Sequence, residues 1–149
     1  MALGSVFEIL KIGVGPSSSH TLGPVQAGLH FRGLRPFWEG EQDLRLKVSL
    51  YGSLALTGKG HLTDVAVTAG LGGYDPEKTP GSPLRLFHET EERGFLIFPR
   101  ERRVSFSPSR DIVYDTEREE LLHPNTLRID LFSQGTLIES GEYLSVGGG

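Results

Sequence analysis

The chain has 149 residues, the size of one compact domain. Lysine plus arginine is 15 and aspartate plus glutamate is 19, a net charge of −4 that excludes a mainly electrostatic nucleic-acid binder. Cysteine is absent, which excludes disulfides, thiol catalysis, Cys-dependent zinc sites and any iron–sulfur cluster ligated by this chain.

No apolar run approaches the roughly 18 residues of a membrane span. The N-terminus has no positive region leading into an apolar stretch, so no secretory signal is expected. With 20 glycines and 9 prolines the chain is too rich in turn residues for an all-helical bundle. No repeat of 20–50 residues is present, which sets aside solenoids and propellers. Val6 to Ile12 reads as a short apolar element running into a Gly-Pro-Ser loop. Leu22, Val25, Ala27, Leu29 and Phe31 then fit an amphipathic helix ended by Gly33 and Pro36. Leu44 to Tyr51 alternates apolar and polar residues, the signature of a strand. Gly52 to Gly60 is glycine-bounded and ends in Gly-Lys-Gly-His. Thr63 or Asp64 is expected to cap a short helix stopped by Gly72-Gly73. Tyr74 to Pro83 is turn-rich. Gly94 to Pro99 and Arg103 to Phe106 read as strands, and Ser107 to Glu120 as a polar stretch. Thr126 to Phe132 alternates again, and Gln134-Gly135 turns it into a second strand through Leu137, Ile138 and Tyr143, a hairpin.

Two glycine-rich stretches fail as phosphate cradles. Gly13-Val14-Gly15-Pro16-Ser17 lacks the third glycine of a dinucleotide fingerprint, and Gly52 to Lys59 has the wrong spacing for a P-loop. Ser17, Ser18, Ser19, His20 and Thr21 crowd four hydroxyls and an imidazole at one helix start. Free N–H groups and the helix dipole there favour a phosphate or an amino-acid carboxylate, though plain capping by one serine is the simpler alternative. Lys59, His61 and Asp64 place a cation, an imidazole and a carboxylate within six residues. The histidine could act as a base oriented by Asp64, or the segment could be a surface turn with a cap. His123-Pro124-Asn125 could read a polar ligand or merely start a strand. His30 and His88 lack a supporting cluster and read as surface or packing residues. No His spacing suits a metal, so none is expected on this chain alone.

Three segments resemble the β domain of the iron–sulfur-dependent L-serine dehydratases. They are Lys11 to Pro24, Leu50 to Asp64, and His123-Pro124-Asn125 together with the closing Gly141 to Gly149. They come in the family's order and span nearly the whole chain. The family has glycine after the histidine of the second segment, where this chain has Leu62, and Gly-Met after His-Pro-Asn, where it has Thr126-Leu127. The resemblance implies an α+β fold, a mixed sheet with helices on it, like the allosteric substrate-binding domain of some 3-phosphoglycerate dehydrogenases. It implies a single β domain over 1–149, ending at a glycine hinge (145–149) ahead of a further domain.

The resemblance further implies β-elimination of water from L-serine to give pyruvate and ammonium in a cytoplasmic, dimeric enzyme. A separate cysteine-bearing α domain would hold a [4Fe–4S] cluster acting as Lewis acid on the serine hydroxyl. This chain alone would then be inactive. His61 is the expected base, with Lys59 tuning it. Ser17, Ser18, Ser19, His20 and Thr21 would contact the substrate. A competing expectation is a regulatory module in which His123, Asn125 and Ser145 hold an effector serine.

Overall fold

A computed structural model of the chain describes residues 7–14, 22–34, 40–57, 62–118 and 125–147; for 7–14, 22, 57 and 145–147 it describes the backbone alone. The described elements are strands β1 (Phe7–Val14), β2 (Leu44–Tyr51), β3 (Phe95–Phe98), β4 (Arg102–Ser105), β5 (Ile112–Asp115), β6 (Asn125–Ser133) and β7 (Thr136–Gly147). The helices are α1 (Leu22–Arg32), α2 (Gly52–Thr57), α3 (Thr63–Leu71), α4 (Pro83–Arg93) and the single turn α5 (Pro108–Asp111). The fold is α+β with a mixed sheet, as expected.

The sheet runs β1-β7-β6-β2-β4-β3, with β5 also on β2. Pairing is parallel for β1 with β7 and for β2 with β4 and β5, and antiparallel for β2–β6, β6–β7 and β3–β4. β4 and β5 follow one another along the same side of β2, separated by α5. The alternation of β2 does what it predicts: Leu44, Leu46, Val48 and Leu50 are buried in the core with Leu127, Ile129 and Leu131 of β6 and Tyr143 of β7. Helices α1, α2 and α3 cover that face with Ala27, Phe31, Leu54, Ala55, Val67 and Leu71.

Two glycines set the helix layer. A Cβ on Gly70 of α3 would stand 2.1 Å from the Val25 carbonyl oxygen, and one on Gly28 of α1 would stand 2.5 Å from the Leu71 nitrogen. Only glycine permits backbones to cross this closely. Arg32 clamps the crossing. Its Nε donates to the Leu71 carbonyl at 3.0 Å and its Nη2 to the Ile97 carbonyl at 2.6 Å, with the guanidinium over the Phe98 ring. Burial there lowers the Arg32 pKa.

Four local expectations change. Gly52 to Thr57 is a helix where the glycine-bounded stretch suggested no element, because Leu54 and Ala55 bury against β2 and β6. Helix α4 was not anticipated. Ser82 caps it by accepting from the Leu84 N–H at 3.2 Å, Pro83 opens it, and Gly94 ends it at φ 81. The polar stretch 107–120 contains β5, whose Ile112 is buried beside Val48. Neither Thr63 nor Asp64 caps α3: the N-cap is Leu62, in the left-handed conformation at φ 70, and the Asp64 Oδ1 instead accepts from the Val65 N–H at 2.9 Å.

Candidate functional site

The strand registers send the motif-bearing segments out of one end of the sheet. Val14 at the close of β1 pairs with Gly147 at the close of β7. Tyr51 at the close of β2 pairs with Thr126, which pairs with Leu144. Gly52 bridges Asn125, and Asp115 at the close of β5 pairs with Tyr51. The chain therefore leaves β1, β2 and β7 and enters β6 at this one end.

The helix layer continues the convergence. Helix α1 begins right after Thr21 and α3 right after Leu62, and Val25 and Leu62 line the same groove. Ser17, Ser18, Ser19, His20, Thr21, Lys59, His61 and His123 lie outside the described residues, as does the Ser145 side chain. Asn125 is half-buried at the start of β6. The β6–β7 register leaves Asn125 and Ser145 one residue beyond the Thr126–Leu144 pair. His30 packs: its Nδ1 lies 2.9 Å from the Tyr143 hydroxyl, the two rings meeting edge to face. His88 is exposed on α4 beside Phe87.

Two groups at this end escaped the sequence reading. Glu142 of β7 is buried and accepts from the Arg118 Nη1 at 2.6 Å. The same guanidinium lies over the Tyr51 ring, 4.7 Å from its centroid. The Glu142 hydrogen bond outweighs desolvation and raises the Arg118 pKa, so the guanidinium stays charged. Arg118 is placed by a turn at Asp115, whose Oδ1 accepts from the N–H groups of Glu117 and Arg118. Tyr51 and Glu142 both lie in segments that carry the resemblance, yet residue type alone gives a cross-strand ion pair no signature.

The second group is Tyr114 with Asp64. Both line a cleft of about 320 Å³ with Phe87, Glu91, Pro108 and Ser109. Burial, the negative charge of Asp64 and a hydrogen bond to it push the Tyr114 phenol up to about 12. Asp64 thus has partners of its own in the Val65 N–H and Tyr114. Among the described residues no group of three or more His, Cys, Asp or Glu could hold a metal, and no helix is long and apolar enough to cross a membrane.

Residues 5–149 match the family model described as serine dehydratase beta chain. The chain belongs to that family. It is 41% identical to an L-serine dehydratase of Helicobacter pylori over 152 residues, covering 100% of this chain and 33% of the relative. It is 36% identical to L-serine dehydratase 1 of Escherichia coli K12 over 152 residues, covering 97% of this chain and 32% of that relative. An L-serine dehydratase of Streptomyces coelicolor is 34% identical over 148 residues, with 97% and 32% covered. The chain spans about a third of the length of the curated relatives it matches.

Proposed function

We propose that this chain is the β domain of an L-serine ammonia-lyase and supplies residues to a site shared with a cysteine-bearing α domain. Family membership supports the reaction class. The observation that carries the site is the register of β1, β2, β6 and β7, which directs the segments around 15–21, 58–61 and 119–124 from one end of the sheet. The architecture is proposed to be that of the allosteric substrate-binding domain of 3-phosphoglycerate dehydrogenase.

The reaction removes a proton from Cα of L-serine and breaks the Cβ–O bond; the resulting aminoacrylate tautomerises to an imine, which water hydrolyses to pyruvate and ammonium. A Cα proton is weakly acidic, so a positioned base is required. His61 takes it as the neutral imidazole. Lys59 beside it disfavours the imidazolium and keeps the ring able to accept. The hydroxyls and N–H groups around Ser17, Ser18, Ser19, His20 and Thr21, just ahead of α1, hold the substrate carboxylate. The chain has no cysteine and does not fit a [4Fe–4S] cluster. Activation of the leaving hydroxyl therefore belongs to the α domain, and this chain alone is expected to be inactive. The assembled enzyme is proposed to be a cytoplasmic dimer.

The test is His61→Ala in the complete enzyme. A fall in kcat of about 10²- to 10⁴-fold with the cluster absorbance intact is expected. Near-normal turnover removes His61 from the mechanism.

A second reading is favoured by the β6–β7 register, which leaves Asn125 and Ser145 adjacent in the ladder's continuation, with His123 two residues away in sequence. On this reading these residues hold an effector serine. Asn125→Ala would then shift K0.5 or cooperativity and leave kcat nearly unchanged. An NMR titration of the chain with L-serine, with D-serine as control, checks it directly: stereoselective shifts at the His123 ring are expected.

A further inference from the structure

Three large leucines near the proposed catalytic segment face water. Leu56 at the end of α2 is 75% exposed, Leu62 is 54% exposed and Leu84 in the first turn of α4 is 44% exposed. Leu56 and Leu62 bracket residues 58–61. Leu62 carries a second cost, because its φ of 70 lies in the left-handed region that favours glycine. An apolar side chain that both strains its backbone and meets solvent is favoured by a contact that covers it.

From Leu62 an open groove of about 480 Å³ runs to Leu84. Val25, Val65, Tyr74 and Pro83 form its other walls. The wall is built rather than loose. The Ser82 cap fixes Leu84, the Tyr74 hydroxyl donates to the Gly81 carbonyl, and the Asp75 N–H donates to Thr79 Oγ1 at 2.9 Å. A preformed apolar groove of this kind marks a contact surface.

We propose that the Leu62–Leu84 groove is the dock for the cysteine-bearing domain, and that the dock sets that domain against residues 58–61. The proposal rests on the reading of His61 as a base at a shared site. Two observations select this occupant. The relatives are about three times as long as this chain, so a body of about two thirds of their length remains to be seated. A shared site requires that body to touch residue 61, and the groove begins at residue 62. A second copy of this chain seated there would take the surface that the substrate-bearing domain needs.

The experiment is site-specific photo-cross-linking in the complete enzyme, with a benzophenone amino acid placed at position 84 and, as control, at the 37% exposed Ile97. The expected result is cross-linked peptides from outside residues 1–149, from position 84 and not from position 97. Cross-links to residues 1–149 of a second copy would overturn the proposal, as would no protein cross-link at position 84. In parallel, Leu84→Asp in the complete enzyme should lower kcat/KM at least tenfold with cluster absorbance intact. Activity within twofold of wild type would also overturn it. Cross-links to the cysteine-bearing domain combined with full turnover by His61→Ala would keep the dock and remove the catalytic reading alone.

Discussion

On one face of the sheet Leu50, Leu127 and Tyr143 lie side by side across β2, β6 and β7. One residue along each strand, on the other face, Ser49, Arg128 and Glu142 lie side by side, and Ser49 and Glu142 are buried as well. The first face is held by packing of apolar area under three helices. The second is held by pairing: Arg118 with Glu142, Arg128 with Asp130 at 2.9 Å, and Ser140 donating to Asp130 at 2.6 Å. Packing tolerates similar shapes, whereas pairing demands particular partners at particular registers. The apolar face therefore supplies most of the stability. The polar face pins the register that sets the ends of β2 and β7 and the start of β6 side by side.

The comparison breaks first on the apolar face. Leu127→Ala should cost about 3 kcal/mol, since the side chain is fully buried and its neighbours cannot collapse on the space. Urea unfolding checks this through a lower midpoint at unchanged slope. A loss below about 1 kcal/mol would mean the core is looser than its burial implies.

On the polar face Glu142→Gln should cost about 1–2 kcal/mol. The Glu142 side chain is 5% exposed but that of Arg118 is 32% exposed, so solvent screens part of the loss. The sharper test is the double variant Arg118→Met with Glu142→Leu. It should recover part of the stability lost in the single variant, because no unpaired charge remains. If it is worse than either single change, the pair is a net energy source and the contrast between the faces fails.

Leu62→Gly should raise stability by about 1 kcal/mol through release of left-handed strain, read as a higher Tm. Lower stability would mean that Leu62 is supported within this chain. The smallest effect is a pH dependence. The Tyr114 phenol is raised from 10.0 to about 12 in the folded chain, so the folded state holds that proton more tightly. The stability it contributes is complete below pH about 10 and is lost as pH climbs through about 12. Tyr114→Phe should flatten that alkaline decline, and a tyrosinate absorbance titration should lose a step near 12.

The strands β2 and β6 were legible because apolar residues recur at every second position, and β7 because the Gln134-Gly135 turn follows β6. Helix α2 was hidden by its opening Gly52 and its six-residue length, since only the tertiary burial of Leu54 and Ala55 makes it helix. Helix α4 was hidden by its polarity: Thr90 is its one buried residue. β5 was hidden by four residues among charges, of which Ile112 alone is buried. At the site, the serine and histidine segments stood out by residue type. The Arg118–Glu142 pair did not, because it joins residues 24 apart in sequence that meet only once β7 is in register. Leu62 was visible as a departure from the family's glycine, but its left-handed backbone needed the fold.

The pairing of β1 with β7 has a kinetic consequence. Among the described residues β1 pairs with β7 alone, and its register partners Ser140 to Gly147 come far later in the chain. During synthesis or refolding β1 must wait for β7, a loop closure of more than 130 residues measured from Phe7 to Ser140. Helix signal and hydrophobic burial should return early in refolding, and hydrogen-exchange protection of the β1 amides should trail them.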